Sequence, residues 1–472
     1  MLELFLDVWA VVALVYFFLL GVFYLAFTIV AWRSLRQFER SRNYAPADEA
    51  FASPLTPGIS IILPAFNEEA GVAESVRSLL ALHYPALEIV VVNDGSTDGT
   101  LERLREAFEL VPVRKALRDT IASEPVVQVY VARRNPDLVV VDKQNGGKSD
   151  ALNAGLRVAR HSLFAAIDAD AVMDTEALIE VARPFLENPE RTVASGGVVR
   201  VSNGCTIDHG RVTHVAVPRN VLAAVQSVEY VRAFLVGRIP WSNLNALLIV
   251  SGAFGLFRRD AVEELGGYRR DTVGEDIDLV TRLHRAYRTA GVPYSIRFVA
   301  YPVCWSEAPE DVRTLGRQRR RWQRGLGQSL WKVRGMFLRP RYGWLGLGSL
   351  PHYLVFEFLS PLVGLTGILV TVGWWLAGGL SLEFLIVFLL LAFVVGGLFT
   401  SAAVAMDQIG ERQRLSNREL SKAMGYALAS GIGYPQLVQF FQLMGLVDLA
   451  RRKKSWGAQR RRGIGATQRR EG

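Results

Sequence analysis

The apolar residues of this chain are concentrated in a few long runs rather than spread evenly. The first is an uncharged stretch at residues 8–32, long enough as a helix to cross a hydrocarbon core of about 30 Å. Glu3 and Asp7 precede it and no basic residue does, which favours a permanent span over a cleaved signal peptide. Arginines follow at once, at positions 33, 36, 40 and 42. The positive-inside bias therefore predicts an outside amino terminus and a cytoplasmic segment after the span.

Two more apolar runs lie in the second half of the chain. Residues 358–382 contain no charge, and residues 384–406 follow directly after Glu383. The Ala-Gly-Gly sequence at 377–379 predicts a turn between them. We therefore expect the two runs to form a hairpin of spans.

The last apolar run, residues 423–447, is interrupted by Gly431, Gly433 and Pro435. Beyond it, residues 451–472 carry nine Lys or Arg and one acid. Four complete spans would leave this basic tail outside, against the positive-inside bias. The charge asymmetry favours a re-entrant or interfacial last run and a cytoplasmic tail. The alternative is a fourth span whose tail is an exception to the bias.

The pattern divides the chain into four predicted segments. These are an N-terminal transmembrane helix with its basic flank (1–42), a globular domain (43–330), interfacial and transmembrane helices (331–450) and a basic cytoplasmic tail (451–472). The expected location is the cell (inner) membrane, with several spans and the globular domain in the cytoplasm.

The composition agrees with a membrane protein. Half of the 472 residues are hydrophobic, 21% are charged and the mean hydropathy is +0.20, which excludes a disordered or fibrous chain. The net charge is +9, and its concentration in the tail favours contact with a lipid surface over a nucleic-acid-binding domain. Two cysteines cannot form a disulfide framework.

Within the globular segment, short apolar runs alternate with helical patterns. Strands are predicted at 59–63, 89–92 and 163–167, and helices at 69–82, 98–108 and 150–160. The strands are almost continuously apolar, as expected for strands buried on both faces of a parallel sheet. The pattern predicts an α/β open sheet, in which ligands bind at the carboxyl ends of the strands.

Asp168 and Asp170 follow the third predicted strand. In an extended segment, residues i and i+2 point the same way, so both carboxylates can face one ion. Carboxylate oxygens without a nearby His or Cys favour Mg²⁺ or Mn²⁺, which bind through one or two carboxylates and substrate phosphates. The alternative interpretation is a turn, in which Asp is common.

Asp94 and Lys148 are the next candidates for ligand binding. Asp94 comes first after the second strand, placed to accept a hydrogen bond from a ligand, although the Asn-Asp-Gly-Ser sequence around it also suits a strand-to-helix turn. Lys148 follows a glycine pair at the start of a predicted helix, where its ammonium and the helix N-terminus favour a phosphate. The Walker A spacing is absent, and the pattern alone is weak.

Two charged clusters complete the candidates. Glu275 and Asp276 precede a predicted helix at 279–289, where an acid is either a helix cap or a general base for an attacking hydroxyl. Gln318, Arg321 and Trp322 lie in an arginine-rich stretch. That stretch is either a basic helix on the inner leaflet or a site with Arg on a pyrophosphate and Trp on a sugar face.

Taken together and in this order, the motifs resemble family 2 glycosyltransferases, specifically the membrane-embedded branch of cellulose, chitin, hyaluronan and poly-N-acetylglucosamine synthases. The resemblance runs from about residue 57 to 325 and implies a GT-A fold, a Rossmann-like open sheet, with α-helical transmembrane segments on both sides. Asn93 stands where the family often has an acid. The stretch 95–147 is longer than the family minimum, and the sequence assigns it no role.

The resemblance implies a donor site. Asp94 is expected to contact the uracil of a UDP-sugar, and Lys148 is expected near the donor phosphates. Asp168 and Asp170 are expected at the metal and the diphosphate, with Asp170 the more direct ligand of Mg²⁺ or Mn²⁺. Arg321 is expected to help stabilise the departing diphosphate.

The resemblance also implies an acceptor side. Asp276 resembles the catalytic base of the family's acidic loop motif, and Glu275 beside it is expected to bind the acceptor. Gln318 and Trp322 belong to the Q-x-x-R-W signature, which borders the acceptor sugar in processive members. Residues 251–256 are expected to form part of the acceptor wall.

The expected function is inverting transfer of a sugar from a UDP-sugar to a growing polysaccharide, processive and coupled to export. The expected partners are the donor, a saccharide acceptor, the bilayer and export or accessory subunits, with no nucleic acid. One alternative is transfer of a single sugar to a polyprenyl phosphate or another lipid. The others are a retaining transferase and a non-enzymatic receptor or scaffold on a retired transferase fold. The sequence does not identify the sugar or the linkage.

Overall fold

The computed structural model describes residues 1–44, 56–208, 210–409 and 414–451. The chain forms two compact units. The helical unit contains residues 1–39, 215–244 and the described residues from 308 onward, and the sheet unit contains residues 40–214 and 245–307. The helix that carries Gln318 thus belongs to the helical unit, whereas the predicted globular segment ran to residue 330.

Twelve strands occur in the described part of the sheet unit. In chain order they are β1 Ile59–Ala65, β2 Leu87–Asp94, β3 Leu110–Val113, β4 Val126–Ala132, β5 Asn135–Lys143, β6 Leu163–Ile167, β7 Val172–Met173, β8 Thr192–Val201, β9 Thr206–Asp208, β10 Arg211–His214, β11 Phe254–Arg258 and β12 Ser295–Ser306. Ten of them form one sheet in the order β3-β4-β5-β2-β1-β6-β11-β8-β12-β7, and β9 pairs with β10 in a separate ribbon.

The centre of this sheet is parallel, as the apolar runs predict. β1 pairs in parallel with β2 and β6, and β2 pairs in parallel with β5. The three predicted strands are confirmed, and β1 and β2 are buried along almost their whole length. β11 lies antiparallel between β6 and β8, so the complete sheet is mixed. Because β2 and β6 both run parallel to β1, Asp94 and Asp168 lie at the same edge of the sheet.

Helices follow the strands in alternation. The sheet unit contains Val72–Leu80, Thr100–Phe108, Lys148–Val158, Ala177–Glu187, Arg259–Glu264 and Glu275–Ala290. The helices predicted at 69–82, 98–108 and 150–160 are confirmed to within a few residues. The helix predicted at 279–289 begins earlier, at Glu275, since acids in the first turn favour the positive end of the helix. The unexplained stretch 95–147 forms one side of the sheet, with a helix and β3, β4 and β5.

The helical unit carries the apolar runs. Its helices are the first part of Leu2–Tyr44, then Val221–Asn243, Val312–Lys332, Leu350–His352, Ser360–Leu376, Leu382–Leu389, Val395–Asp407, Asn417–Ala429 and Tyr434–Ala450, with 3₁₀ turns at Arg334–Met336 and Pro340–Tyr342 and π-helical segments at Leu345–Ser349, Tyr353–Phe358 and Leu390–Val394.

Among the described residues, two helices are long and apolar enough to cross a membrane, Leu2–Arg42 and Leu382–Asp407. A third candidate arises if Leu345–Phe358 and Ser360–Leu376, which meet at a bend of 48°, count as one span. The runs at 8–32 and 384–406 are thus confirmed as helices of sufficient length and apolarity. The turn predicted at 377–379 falls between Leu376, where one helix ends, and Leu382, where the next begins.

The last apolar run is not one continuous helix. It forms Asn417–Ala429 and Tyr434–Ala450, separated at residues 430–433, where Gly433 has a φ of +78°. Neither helix is a candidate span in the part of the chain that was described. The cytoplasmic location of the tail stays a prediction, and residues 452–472 lie outside the described residues.

Candidate active site

Lys148 is the residue through which the predicted motifs of the sheet unit meet. It opens the helix Lys148–Val158, and its Nζ lies 2.7 Å from Asp168 Oδ1 and 3.0 Å from Glu275 Oε1. The same ammonium donates a hydrogen bond to the carbonyl oxygen of Gly252 at 3.0 Å. Burial disfavours the charge, but Asp168 and Glu275 outweigh this effect and raise the pKa of Lys148 above its ordinary value. The ammonium therefore stays charged and holds three segments together.

Asp276 lies in the first turn of the helix that begins at Glu275. Its Oδ1 accepts a hydrogen bond from the Ile277 amide at 2.8 Å. A Cβ atom built on Gly252 would lie 3.0 Å from Asp276 Oδ2, so the carboxylate packs against the backbone of the predicted acceptor wall. Burial and then the charge of Glu275 raise the pKa of Asp276 to about 6, while Lys148 acts in the opposite direction. Such a carboxylate is ionised at neutral pH and still basic enough to accept a proton.

Asp168 and Asp170 do not lie in an extended segment, and that part of the prediction is wrong. The Ala171 amide donates to the carbonyl oxygen of Asp168 at 3.0 Å, which makes residues 168–171 a turn. The turn arises because the chain immediately enters β7, which pairs with the distant strand β12. Both carboxylates nevertheless lie near Cys304 of β12. Burial raises the pKa of the Cys304 thiol, and the negative charges of Asp168 and Asp170 raise it further.

The Asp168 and Asp170 carboxylates suit a divalent cation that takes its remaining ligands from a bound substrate. No group of three or more His, Cys, Asp or Glu among the described residues is arranged to hold a metal ion by itself. Mg²⁺ and Mn²⁺ accept one or two carboxylates and take their other ligands from water and phosphates. The ammonium of Lys148, 2.7 Å from Asp168, indicates that positive charge is favoured at this position.

Asp94 ends β2 and is buried, with 3% of its surface exposed. Its Oδ1 accepts a hydrogen bond from the Gly146 amide at 3.0 Å, and its Oδ2 accepts one from the Gly147 amide at 2.7 Å. Lys143 Nζ lies 2.5 Å from Oδ1. Asp94 therefore holds the backbone of the glycine pair that precedes Lys148. Its direct contact with the uracil of a donor stays a prediction.

Sequence reasoning missed the part played by Lys143 and Gly252. Lys143 begins the motif that contains Lys148, but nothing in its local pattern indicates that its side chain is completely buried. Gly252 lies in a short apolar turn, and its contacts with Lys148 and Asp276 join positions far apart in sequence. Only the glycine itself was a usable signal, since a glycine often marks a close approach of the backbone.

The Q-x-x-R-W residues lie on the helix Val312–Lys332 of the helical unit. Gln318 is buried, whereas 41% of Trp322 is exposed. The Arg319 guanidinium lies 4.6 Å from the centre of the Trp322 ring and forms two hydrogen bonds to Glu229, at 2.6 and 3.0 Å. The Trp322 ring thus packs against the guanidinium of Arg319, which Glu229 holds in position. The predicted approach of Arg321 and Trp322 to the donor and acceptor stays a prediction.

Comparison with known proteins gives one family and several relatives. Residues 60–266 match the profile described as Glycosyl transferase family 2. A poly-beta-1,6-N-acetyl-D-glucosamine synthase of Staphylococcus epidermidis is 30% identical over 271 residues, which are 57% of this chain and 54% of that protein. The synthase of Staphylococcus aureus strain COL is 30% identical over 272 residues, with the same two shares. The chain therefore spans about half the length of the curated relatives it matches.

A solved structure shows the same fold. The mannosyltransferase PcManGT from Pyrobaculum calidifontis, in complex with GDP-Man and Mn²⁺, has a TM-score of 0.52 and 19% sequence identity. The alignment covers 92% of this chain and 100% of the other. The predicted GT-A class of the open sheet is thereby confirmed.

Proposed function

We propose that the protein is a membrane-bound inverting glycosyltransferase, because residues 60–266 match the profile described as Glycosyl transferase family 2. It moves a sugar from a UDP-sugar to a growing polysaccharide and remains attached to the product between transfers. The curated relatives are poly-beta-1,6-N-acetyl-D-glucosamine synthases, which makes UDP-N-acetylglucosamine the first donor to test. The catalytic domain faces the cytoplasm and the apolar helices cross the membrane more than once.

One observation carries this proposal: a single ammonium joins the residues of three separate motifs. Lys148 contacts Asp168 and Glu275, and it bonds to Gly252, 104 positions away. Asp276 packs against the same glycine. A phosphate-binding cation, a carboxylate for a metal and a candidate base therefore surround one short backbone segment. This is the set of groups that transfer from a sugar diphosphate requires.

In the proposed reaction, Asp276 removes the proton from the acceptor hydroxyl. The acceptor oxygen then attacks the anomeric carbon on the face opposite the diphosphate, a new carbon–oxygen bond forms, and the bond to the phosphate oxygen breaks. The electron pair of the broken bond leaves on UDP, and Lys148 stabilises the charge that develops there. A divalent ion held by Asp168 and Asp170 would supply further stabilisation of that charge, typically several kcal/mol.

The helical unit supports the acceptor side of the proposal. Part of the aromatic ring of Trp322 is exposed, and the guanidinium of Arg319 lies against that ring. A ring fixed in this way is suited to stacking on the apolar face of a sugar. Gln318 and Arg321 lie within one turn of it along the same helix. We propose that Trp322 and Gln318 contact the acceptor and that Arg321 reaches the diphosphate.

The test is an assay of nucleoside diphosphate release, UDP or GDP, on the full-length protein purified in detergent. UDP-N-acetylglucosamine, UDP-glucose and UDP-glucuronic acid are each supplied with EDTA, Mg²⁺ or Mn²⁺, with GDP-mannose in parallel. We expect UDP release with one UDP-sugar, only with a divalent ion, and a polymeric product. A single sugar on a lipid carrier would contradict processivity, and a protein that consumes no nucleotide sugar would overturn the proposal.

A further inference from the structure

A second group of charged side chains in the sheet unit is completely buried. Lys143 is the last residue of β5, and its side chain is 0% exposed. Its Nζ lies 2.5 Å from Asp94 Oδ1 and 2.7 Å from Asp150 Oδ2, and it donates to the carbonyl oxygen of Gln144. The side chain of Asp150 is also 0% exposed. A buried ammonium is tolerated here because two carboxylates and a carbonyl compensate it.

Asp94 connects this group to the turn before Lys148. The carboxylate of Asp94 accepts the amides of Gly146 and Gly147. Gly147 has a φ of +86° and immediately precedes the helix that begins at Lys148. Residues other than glycine rarely adopt this φ, whereas glycine is free to adopt it and others, so the hydrogen bonds to Asp94 select one conformation of the turn. The position of Lys148 therefore depends on a carboxylate that Lys143 holds in place.

Asp150 connects the same group to the loop before Glu275. The Asp150 carboxylate accepts hydrogen bonds from the Glu124 amide at 3.1 Å and from Arg270 Nη1 at 2.9 Å. Arg270 also lies 2.8 Å from Glu124 Oε1. Arg270 belongs to the loop between the helix Arg259–Glu264 and the helix Glu275–Ala290. The group thus reaches two of the segments that present candidate active-site residues, those of Lys148 and of Glu275.

We infer that Lys143 is a positioning residue for two segments of the candidate active site, the turn before Lys148 and the loop before Glu275. Through Asp94 it fixes the turn that presents Lys148. Through Asp150 and Arg270 it fixes the loop that leads into Glu275. An effect of Lys143 on the kinetics of sugar transfer rests on the proposed function, whereas its ordering of the two segments does not. The inference also assigns a purpose to the stretch 95–147, which supplies Lys143 and the Glu124 amide.

The ordering is tested by hydrogen–deuterium exchange on the full-length protein in detergent. In Lys143→Met we expect residues 145–150 and 266–276 to exchange about tenfold faster, while the strand β1 keeps its protection. In Arg270→Gln only residues 266–276 should exchange faster. Because 45% of the Arg270 side chain is exposed, this second variant is expected to fold even if the first does not. Unchanged exchange at 266–276 in Arg270→Gln would overturn the inference.

Lys115 provides a matched control. It belongs to the same stretch and also pairs with a buried carboxylate, Glu88, at 3.6 Å. Lys115→Met should leave residues 145–150 and 266–276 unchanged. If it accelerates exchange there as much as Lys143→Met does, the effect is a general loss of stability and the inference is wrong.

Kinetic measurements distinguish a positioning role of Lys143 from an effect that arises only because its loss leaves buried negative charge unbalanced. We expect Lys143→Met to lower kcat/KM for the donor on the order of 100-fold, mainly through a higher donor KM. The double variant Lys143→Met/Asp150→Asn removes one charge of each sign. It should recover the melting temperature but not the donor KM, because the ion pair between Asp150 and Arg270 is also lost. A donor KM restored to the wild-type value would contradict the inference. If the wild type consumes no nucleotide sugar, the proposed function fails. The hydrogen–deuterium exchange experiment still decides whether Lys143 orders the two segments.

Discussion

Lys148 and Asp168 are joined by a contact of 2.7 Å between Nζ and Oδ1. This contact directly joins two sequence motifs, the glycine pair followed by Lys148 and the Asp-x-Asp sequence that begins at Asp168. Only 21% of each side chain is exposed, so water screens this pair less than a surface pair. The ammonium also neutralises Glu275, 3.0 Å away. Lys148 is thus a shared counter-ion for carboxylates from two segments.

The first prediction concerns this lysine. Lys148→Met removes the ammonium that we propose contacts the donor phosphates, and it leaves Asp168 and Glu275 without their shared cation. A hydrogen bond to a charged group contributes about 1.5–3 kcal/mol, so we expect UDP to bind about 10- to 100-fold more weakly. The measurement is the dissociation constant of UDP in the presence of Mn²⁺. Lys115→Met is the control, and equal weakening in both variants would contradict a phosphate contact.

The second prediction is a pH dependence. The proposed base must be ionised, and the pKa of Asp276 is raised to about 6 by burial and by Glu275. As the pH falls through that value the ionised fraction falls, so kcat/KM should decrease about tenfold per pH unit below it. Glu275→Gln removes one cause of the increase and should move this decrease to lower pH. A decrease that stays in place or moves to higher pH would contradict the assignment.

The third prediction concerns the base itself. Asp276→Asn keeps the shape of the side chain but cannot accept the proton, and we expect turnover to fall by about 10²- to 10⁴-fold. The affinity for UDP should change little. Asp260→Asn, at an acid whose side chain is 62% exposed and pairs with Arg258, serves as the control. Wild-type turnover in Asp276→Asn would contradict the assignment of Asp276 as the base.

The fourth prediction follows from the close approach of Gly252 to Asp276. A methyl group at residue 252 would lie 3.0 Å from Asp276 Oδ2, so the carboxylate must move by a few tenths of an ångström. We expect Gly252→Ala to lower kcat on the order of tenfold, because small displacements of a catalytic group are costly, while UDP still binds. Gly71→Ala introduces the same methyl group where no atom lies within 4 Å. Equal losses in both variants would rule out this explanation.

The fifth prediction tests the acceptor side. Trp322→Ala removes the exposed ring that Arg319 supports, so the growing chain should dissociate sooner. We expect shorter products with a smaller loss in the initial rate of UDP release, as measured by gel or mass analysis of labelled polymer. Trp331 lies on the same helix and is 69% exposed, and Trp331→Ala should leave product length unchanged. Full-length polymer from Trp322→Ala would contradict a stacking role.

Much of the fold could be predicted because its signals are local. The strands β1, β2 and β6 are short apolar runs, and the helices that contain residues 8–32 and 384–406 are long ones. Burial of a strand or a span depends on the polarity of consecutive residues. Once β1, β2 and β6 are taken as parallel, the edge that carries Asp94 and Asp168 follows from geometry alone.

The local shape of the segment that contains Asp168 and Asp170 could not be decided in the same way, since its sequence suits an extended segment as well as a turn. An extended Asp168–Asp170 was expected, but residues 168–171 turn so that β7 can pair with β12. The pairing joins residue 173 to residue 304. No signal near Asp168 contains that information, since it is stored in a strand more than a hundred positions away.

The sequence by itself determined which stretches are apolar enough to be buried or to span a membrane, and which residue types are available for chemistry. Those properties belong to single residues and their neighbours along the chain. Only the tertiary structure decided that Lys148 meets Gly252 across 104 positions and that Lys143 meets Asp94 across 49. An ion pair depends on distance in space and on the removal of water, and both are set when the sheet and its loops have packed.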